Sequence, residues 1–366
     1  MKFSVSREAI LKPLQLVAGV VERRQTLPVL ANVLLVLEDN RLSLTGTDLE
    51  VEIVARVQLD EAGEAGELTV PARKLVDICR SLPDDAILQF SEENQRVILK
   101  SGRSRFTLST LPANDFPNVE QGNGDLQFSC EQQDIKRLID RTGFAMAQQD
   151  VRYYLNGMLW EVQEGQLRAV ATDGHRLAMC TRAVSVSCEA KVQAILPRKG
   201  VVELARLLDG QGNVDVTLGS NHIRVATEDY TFTSKLVDGK FPDYERVLPR
   251  GGDKQVFGDR EELRQAFGRT AILSNEKYRG VRLLLTDGQL TIVANNPEQE
   301  EAEEQVAVDY SGDQLEIGFN VSYLQDVTGV LSSDNVKMTL ADSNSSALLE
   351  EPEGGDSVYV VMPMRL

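Results

Sequence analysis

The chain has 366 residues, 42% of them hydrophobic, with four cysteines, two histidines and a formal net charge of −17. That length exceeds the usual reach of one core and predicts two or three domains. The acidity argues against a nucleic-acid binder unless basic groups gather on one surface. Cys79, Cys130, Cys180 and Cys188 lack C-x-x-C spacing and a histidine cluster, which argues against a zinc site or a disulfide framework.

In chain order, Ile10, Leu11, Leu14 and Val17 share one face of a first amphipathic helix, which Pro13 is expected to kink or shorten. Alternating runs at 33–37, 42–45 and 49–57 predict antiparallel strands. A second helix carries Leu75, Ile78 and Leu82, and strands at 96–100 and 105–108 follow. The pattern then restarts. Phe3-Ser4-Val5-Ser6 returns in outline as Phe128-Ser129-Cys130-Glu131, 125 residues on, and more faintly as Phe257-Gly258-Asp259-Arg260, 129 residues later. Val70-Pro71-Ala72-Arg73-Lys74 returns as Leu196-Pro197-Arg198-Lys199, with Phe319-Asn320-Val321 as its third counterpart, and Phe116-Pro117 returns as Phe241-Pro242. The repeated helices carry Ile135, Leu138 and Ile139, then Val201, Leu204 and Leu208, then Leu263, Ala266 and Phe267, then Leu324, Val327 and Leu331. Three α+β domains are expected, 1–124, 125–250 and 251–366, each with two helices packed on antiparallel sheet.

Charge follows the same division. Helical segments taken as 7–24, 73–80, 131–152, 198–209, 260–282 and 323–335 sum to +6, leaving −23 for the rest of the chain. Lys and Arg are good helix formers, so any one helix reads as ordinary surface composition. Six biased together read as a basic track able to contact phosphate through Lys12, Arg24, Arg73, Lys136, Arg137, Arg141, Arg152, Arg198, Lys199, Arg264 and Arg269. With Tyr153-Tyr154 as the sole aromatic pair, duplex is favoured over single strands. Arg96, Lys100, Arg103 and Arg105 make one end basic, and 295–304 is heavily acidic. This asymmetry suits a head-to-tail contact, or else the acidic run blunts an edge strand; both readings stand at this level.

Catalytic motifs are wanting. His175, in Thr172-Asp173-Gly174-His175-Arg176, has as counterparts Thr47-Asp48-Leu49-Glu50 and Asn295-Asn296-Pro297-Glu298, which keep a polar turn but no histidine. No Walker, G-x-S-x-G or H-E-x-x-H pattern occurs, and no metal or cofactor is expected. Rival readings are a phosphotransfer enzyme holding Mg²⁺ on the acidic segments, and a small-molecule-binding scaffold without DNA. With a charged N-terminus and no stretch of roughly 18 apolar residues, a soluble cytoplasmic protein is expected.

From Met1 to Leu366 the chain resembles the β subunit of bacterial DNA polymerase III, the replicative sliding clamp. The resemblance rests on Thr45-Gly46-Thr47-Asp48-Leu49-Glu50, Gln149-Asp150-Val151-Arg152-Tyr153-Tyr154-Leu155-Asn156-Gly157, Ala171-Thr172-Asp173-Gly174-His175-Arg176-Leu177, Phe241-Pro242-Asp243-Tyr244 and Val361-Met362-Pro363-Met364-Arg365-Leu366. It implies a non-catalytic processivity factor: a homodimer closed head to tail around duplex DNA, helices lining a hole of about 28 Å, tethering the replicative polymerase, the clamp loader and repair polymerases. It further implies sequence-independent DNA contacts from Arg24, Arg73, Gln149, Tyr153 and Tyr154. The dimer contact would set Lys74, Arg103, Arg105 and Phe106 against Ile272, Leu273, Glu300 and Glu304. A cleft for short linear peptides would comprise Leu155, Thr172, Gly174, His175, Arg176, Leu177, Pro242, Val247, Asn320, Tyr323, Ser346, Val360, Met362, Pro363, Met364, Arg365 and Leu366. Asn344 stands where an aliphatic residue is expected, which implies a more polar wall beside that cleft.

Overall fold

The computed structural model describes residues 1–22, 27–117 and 124–365. One element order, βαββββαβββ, occurs three times. The first pass is β1 (Lys2–Ser6), α1 (Arg7–Val20), β2 (Asn32–Glu38), β3 (Arg41–Thr47), β4 (Val51–Gln58), β5 (Gly66–Pro71), α2 (Ala72–Ser81), β6 (Ile87–Glu93), β7 (Arg96–Ser101) and β8 (Ser104–Ser109). The second is β9 (Leu126–Glu131), α3 (Gln132–Thr142), β10 (Gly157–Gln163), β11 (Gln166–Thr172), β12 (Arg176–Ala183), β13 (Val192–Pro197), α4 (Arg198–Leu207), β14 (Asn213–Leu218), β15 (His222–Ala226) and β16 (Tyr230–Lys235). The third is β17 (Lys254–Asp259), α5 (Arg260–Ala271), β18 (Gly280–Thr286), β19 (Gln289–Asn295), β20 (Glu301–Asp309), β21 (Leu315–Asn320), α6 (Val321–Val330), β22 (Asn335–Leu340), β23 (Ala347–Glu350) and β24 (Ser357–Val361).

The sequence anchors mark the strand-to-helix joints. Phe3, Phe128 and Phe257 lie on β1, β9 and β17, each followed at once by a helix. Ser6 caps α1 by accepting from Ala9 N at 3.2 Å, and Asp259 caps α5 by accepting from Glu262 N at 2.8 Å. Pro71 and Pro197 precede α2 and α4, and Asn320 caps α6 through Ser322 N at 2.9 Å.

Several helix limits differ from the sequence expectation. Pro13 does not shorten α1, the longest described helix; its absent N–H forfeits one bond, while buried Ile10, Leu14, Val17 and Val20 hold the helix to the sheet. The second-pass helix stops at Thr142, not 152: Gly143–Ala145 tighten into a 3-10 turn, and Asn156 bonded to Asp150 folds the chain further on. The third stops at Ala271, and the second helices are 72–81, 198–207 and 321–330. Leu49 belongs to no strand; it occupies a turn at φ +77°. The helices as observed carry fourteen basic and eight acidic residues, again net +6.

The chain forms two compact units. The first, Met1–Lys136 with Leu196–Leu236, holds a sheet ordered β5-β2-β3-β4-β16-β15-β14-β9 and another ordered β1-β6-β7-β8. Here α1 packs on β3 and β4, and Gly46 permits the approach, since a Cβ there would lie 2.6 Å from the Val17 carbonyl oxygen. The second, Arg137–Ile195 with Val237–Leu366, is built on a sheet ordered β13-β10-β11-β12-β24-β23-β22-β17-β20-β19-β18-β21. Leu159, Val170, Leu177, Ile195, Phe241, Tyr244 and Val360 form an apolar cluster within it. Among the described residues no helix is long and apolar enough to cross a membrane.

Candidate functional site

An apolar cavity of about 170 Å³ opens in the second unit. The β11–β12 turn supplies Thr172, Gly174, Arg176 and Leu177 to its lining; the 3-10 turn Tyr153–Leu155 supplies Tyr154 and Leu155; the chain after Phe241 supplies Pro242, Tyr244 and Val247; β24 and its exit supply Val360 and Met362. The β11–β12 turn is fixed by its own side chains. Asp173 Oδ1 accepts from His175 N at 2.9 Å and Arg176 N at 3.1 Å, while Thr172 Oγ1 donates to the Arg176 carbonyl at 2.6 Å. Gly174 sits at φ +88°, where a side chain is strained.

The same turn stands in the first unit. There Asp48 Oδ1 accepts from Glu50 N at 2.9 Å and Val51 N at 2.7 Å, and Thr47 Oγ1 donates to the Val51 carbonyl at 2.9 Å. Leu49 takes the glycine position. Two turns of one design thus differ in the residue at the positive φ.

Arg176 organises the cleft from within. Its Nε donates to Asp173 Oδ2 at 3.2 Å, its Nη2 donates to the Phe144 carbonyl at 2.8 Å, and its Nη1 pairs with Asp326. The guanidinium lies over the Phe144 and Tyr323 rings. Burial, with Asp173 acting in the same direction, pushes the Tyr323 hydroxyl above its ordinary value.

Among the described residues, the other expected cleft residues are not part of the cavity lining. The His175 carbonyl accepts from Met362 N at 3.0 Å and leaves its side chain exposed, and Met364 N donates to the Gly318 carbonyl at 2.8 Å. Pro363 and Arg365 follow β24, Asn320 caps α6, and Leu366 lies outside the described residues. Ser346 and Asn344 border a second cavity of about 670 Å³, which shares Val247 with the first. Its lining mixes polar Arg246, Arg250, Thr339, Asn344 and Ser345 with apolar Leu248, Pro249, Ala341 and Leu348.

The expectation of a basic track free to meet phosphate is corrected in part. Of the proposed phosphate contacts, Arg137 is held by Asp356, and Arg141 is buried against Ser332 and Glu351. Lys199 is held by Asp48, Glu22 and the Val20 carbonyl, and Arg269 is bound bidentately by Glu304 at 2.6 and 2.9 Å. Arg152 folds back on Asp150, pulling that carboxyl down to about 2 through its hydrogen bonds, and also lines the cavity. Half-buried Tyr154 lines the cavity, and Gln149 and Tyr153 are exposed. The physical reason is common to these cations: a charge-assisted contact with a carboxylate within the chain holds each of them.

Arg73 and Lys74 are exposed on α2, and Arg24 lies outside the described residues. Arg103, Arg105 and the half-buried Phe106 lie on or beside β8, Glu300 just precedes β20 and Glu304 lies within it. Ile272 is 76% exposed at the end of α5, with Leu273 half-buried beside it. Sequence reasoning missed Tyr244 as a cavity residue, although Phe241-Pro242-Asp243-Tyr244 had drawn notice.

Family models described as DNA polymerase III beta subunit match in three parts: the N-terminal domain at residues 1–120, the central domain at 129–243 and the C-terminal domain at 245–365. The chain is 68% identical to the beta sliding clamp of Pseudomonas aeruginosa and 56% identical to that of Escherichia coli K12, over the full length of both proteins in each case. Among solved structures, the P. aeruginosa clamp bound to griselimycin matches with a TM-score of 0.97 at 68% identity, and the Bartonella birtlesii clamp bound to griselimycin with 0.96 at 39%, both covering all of each chain. The chain belongs to the DNA polymerase III β-subunit family of sliding clamps, non-catalytic processivity factors built from three repeated clamp domains.

Proposed function

We propose that two copies of this chain close head to tail around duplex DNA, and that the second unit's cleft takes short apolar peptides from the replicative polymerase, the clamp loader and repair polymerases. The observation that carries the ring is how successive repeats are joined. The third strand after a repeat's first helix pairs with the last strand of the next repeat, as β4 with β16 and β12 with β24. That rule leaves β20 and β8 over. β8 ends its four-stranded sheet, and β20 meets only two residues of β17 on its outer side. Pairing β20 with β8 of a second copy repeats the junction and closes the assembly.

The chemistry of those edges supports this pairing. Lys74, Arg103 and Arg105 with Phe106 would meet Glu300 and Glu304 with Ile272 and Leu273. Exposed ion pairs add little affinity but set direction, while the apolar residues supply burial. The repeats are assigned as domains 1–124, 125–250 and 251–366, each ending after its last β-strand.

Exposed Arg73, Gln149 and Tyr153 are assigned with Arg24 and Tyr154 to duplex contacts, which give affinity without reading sequence. The setting is cytoplasmic. Griselimycin is expected to occupy the cleft and displace peptide. The deciding experiment loads the protein on nicked circular and on linear DNA. Retention on the circle with loss from linear ends is expected; equal loss from both removes the ring.

A further inference from the structure

Behind the cleft wall lies a charged cluster that does not line the cavity. Glu161, on β10, is 1% exposed and ringed by donors. Tyr244 Oη donates to Glu161 Oε1 at 2.9 Å, Gln193 Nε2 donates to Oε2 at 2.7 Å, and Lys191 Nζ stands 3.2 Å from Oε1. Arg168 Nη1 donates to the Tyr244 hydroxyl at 3.0 Å, and its Nε is tied to Thr181 Oγ1 at 2.9 Å. Burial opposes the charge on Glu161, but hydrogen bonds from Gln193, Tyr244 and Lys191 outweigh it and hold the carboxyl below its ordinary value. Burial pushes the Tyr244 hydroxyl up, so it remains a donor.

Tyr244 links this cluster to the cavity. Its ring lines the cavity and packs with Leu177, Phe241 and Val360. It starts a 3-10 turn in which Val247 N donates to the Tyr244 carbonyl at 3.0 Å, and both Pro242 and Val247 are cavity walls. A phenylalanine would fill the same apolar space without a buried carboxylate, an unfavourable group unless fully hydrogen-bonded. The hydroxyl's partner therefore adds a fixed position, beyond packing.

We propose that Glu161 is a positioning residue for the cleft: through the Tyr244 hydroxyl it fixes the segment carrying Pro242 and Val247, and so sets how tightly the cavity grips an apolar side chain. This rests on the cavity being the ligand site. Tyr244→Phe and Glu161→Leu each release the segment, whereas Glu161→Gln keeps an acceptor for the hydroxyl.

The probe is griselimycin, titrated into the full chain well below each variant's unfolding temperature, with folding followed by the fluorescence of the single Trp160. Tyr244→Phe and Glu161→Leu are expected to bind about tenfold more weakly while folded, and Glu161→Gln to recover to within about threefold. Leu99→Ala, a core truncation in β7, lowers stability and leaves affinity unchanged. Wild-type affinity in folded Tyr244→Phe overturns the proposal. Failure of the wild-type chain to bind griselimycin would instead remove the reading of the cavity beneath it.

Discussion

The Arg176 guanidinium carbon stands 4.4 Å from the centre of the Tyr323 ring, and its three nitrogens are committed to Asp173, Asp326 and the Phe144 carbonyl. A guanidinium so engaged ties the β11–β12 turn to α6 and is not a free cation awaiting a ligand. Arg176→Ala is expected to cost about 3 kcal/mol, from lost charge-assisted hydrogen bonds and ring stacking. Arg176→Lys should recover less than half, since an ammonium cannot satisfy three separated acceptors. Urea unfolding of both variants measures this; equal stability of the lysine variant and wild type would contradict it.

Acid sensitivity should centre on Asp356. Burial opposes its charge, but hydrogen bonds from Arg137 and Ser357 and the pairing with Arg182 hold its carboxyl down to about 2. A folded value below the unfolded one gives stability that is present above about pH 4 and lost as the pH falls toward 2. The contribution is about 2 kcal/mol. Asp356→Asn is expected to be less stable than wild type at pH 7 and to converge with it near pH 2 in chemical unfolding series.

Much of this architecture is legible in the sequence, because the repeat anchors fall on strand-to-helix joints whose chemistry recurs: an apolar strand residue followed by a cap or a proline. The turn at Asp48 and Asp173 was equally readable, since the hydrogen bonds that make it are local. Helix ends were less so. Phe144, Ala145, Met146 and Ala147 would suit a continuing helix, yet Gly143–Ala145 tighten into a 3-10 turn and Asn156 bonded to Asp150 folds the chain beyond. Long-range partners were hidden altogether: Arg137 meets a carboxylate 219 residues away, and Tyr244 finds Glu161 across 83. No spacing rule foretells those encounters, so the basic track was overcounted and Tyr244 was missed.

The proposed edge pairing makes Ile272 decisive. An apolar side chain 76% exposed at a helix end gains by burial against β8 of a second copy. Ile272→Ala with Leu273→Ala is expected to run as a monomer of 40.5 kDa in light-scattering chromatography, with wild type at twice that mass. Arg103→Glu with Arg105→Glu should weaken the dimer in a salt-dependent way, because like charges then face Glu300 and Glu304. A stable dimer in the apolar double variant would move the interface elsewhere.

The paired turns supply their own control. Gly174 and Leu49 occupy the same place at φ +88° and +77°, but the surroundings differ. A Cβ at Gly174 would lie 2.9 Å from Arg152 Nη2 and 3.0 Å from Nη1, and Arg152 both donates to the Asp173 carbonyl and lines the cavity. Gly174→Ala is therefore expected to cost about 1–2 kcal/mol in backbone strain and to push Arg152 off its seat, weakening griselimycin binding severalfold. Leu49→Gly relieves comparable strain at a turn in the first unit and should change stability by less than about 1 kcal/mol, with ligand affinity unaltered. Parallel melting and titration of the two variants separates the turn's strain from its role in the cleft: if both lose affinity alike, the loss is one of general stability; if only Gly174→Ala does, it comes from the displaced Arg152.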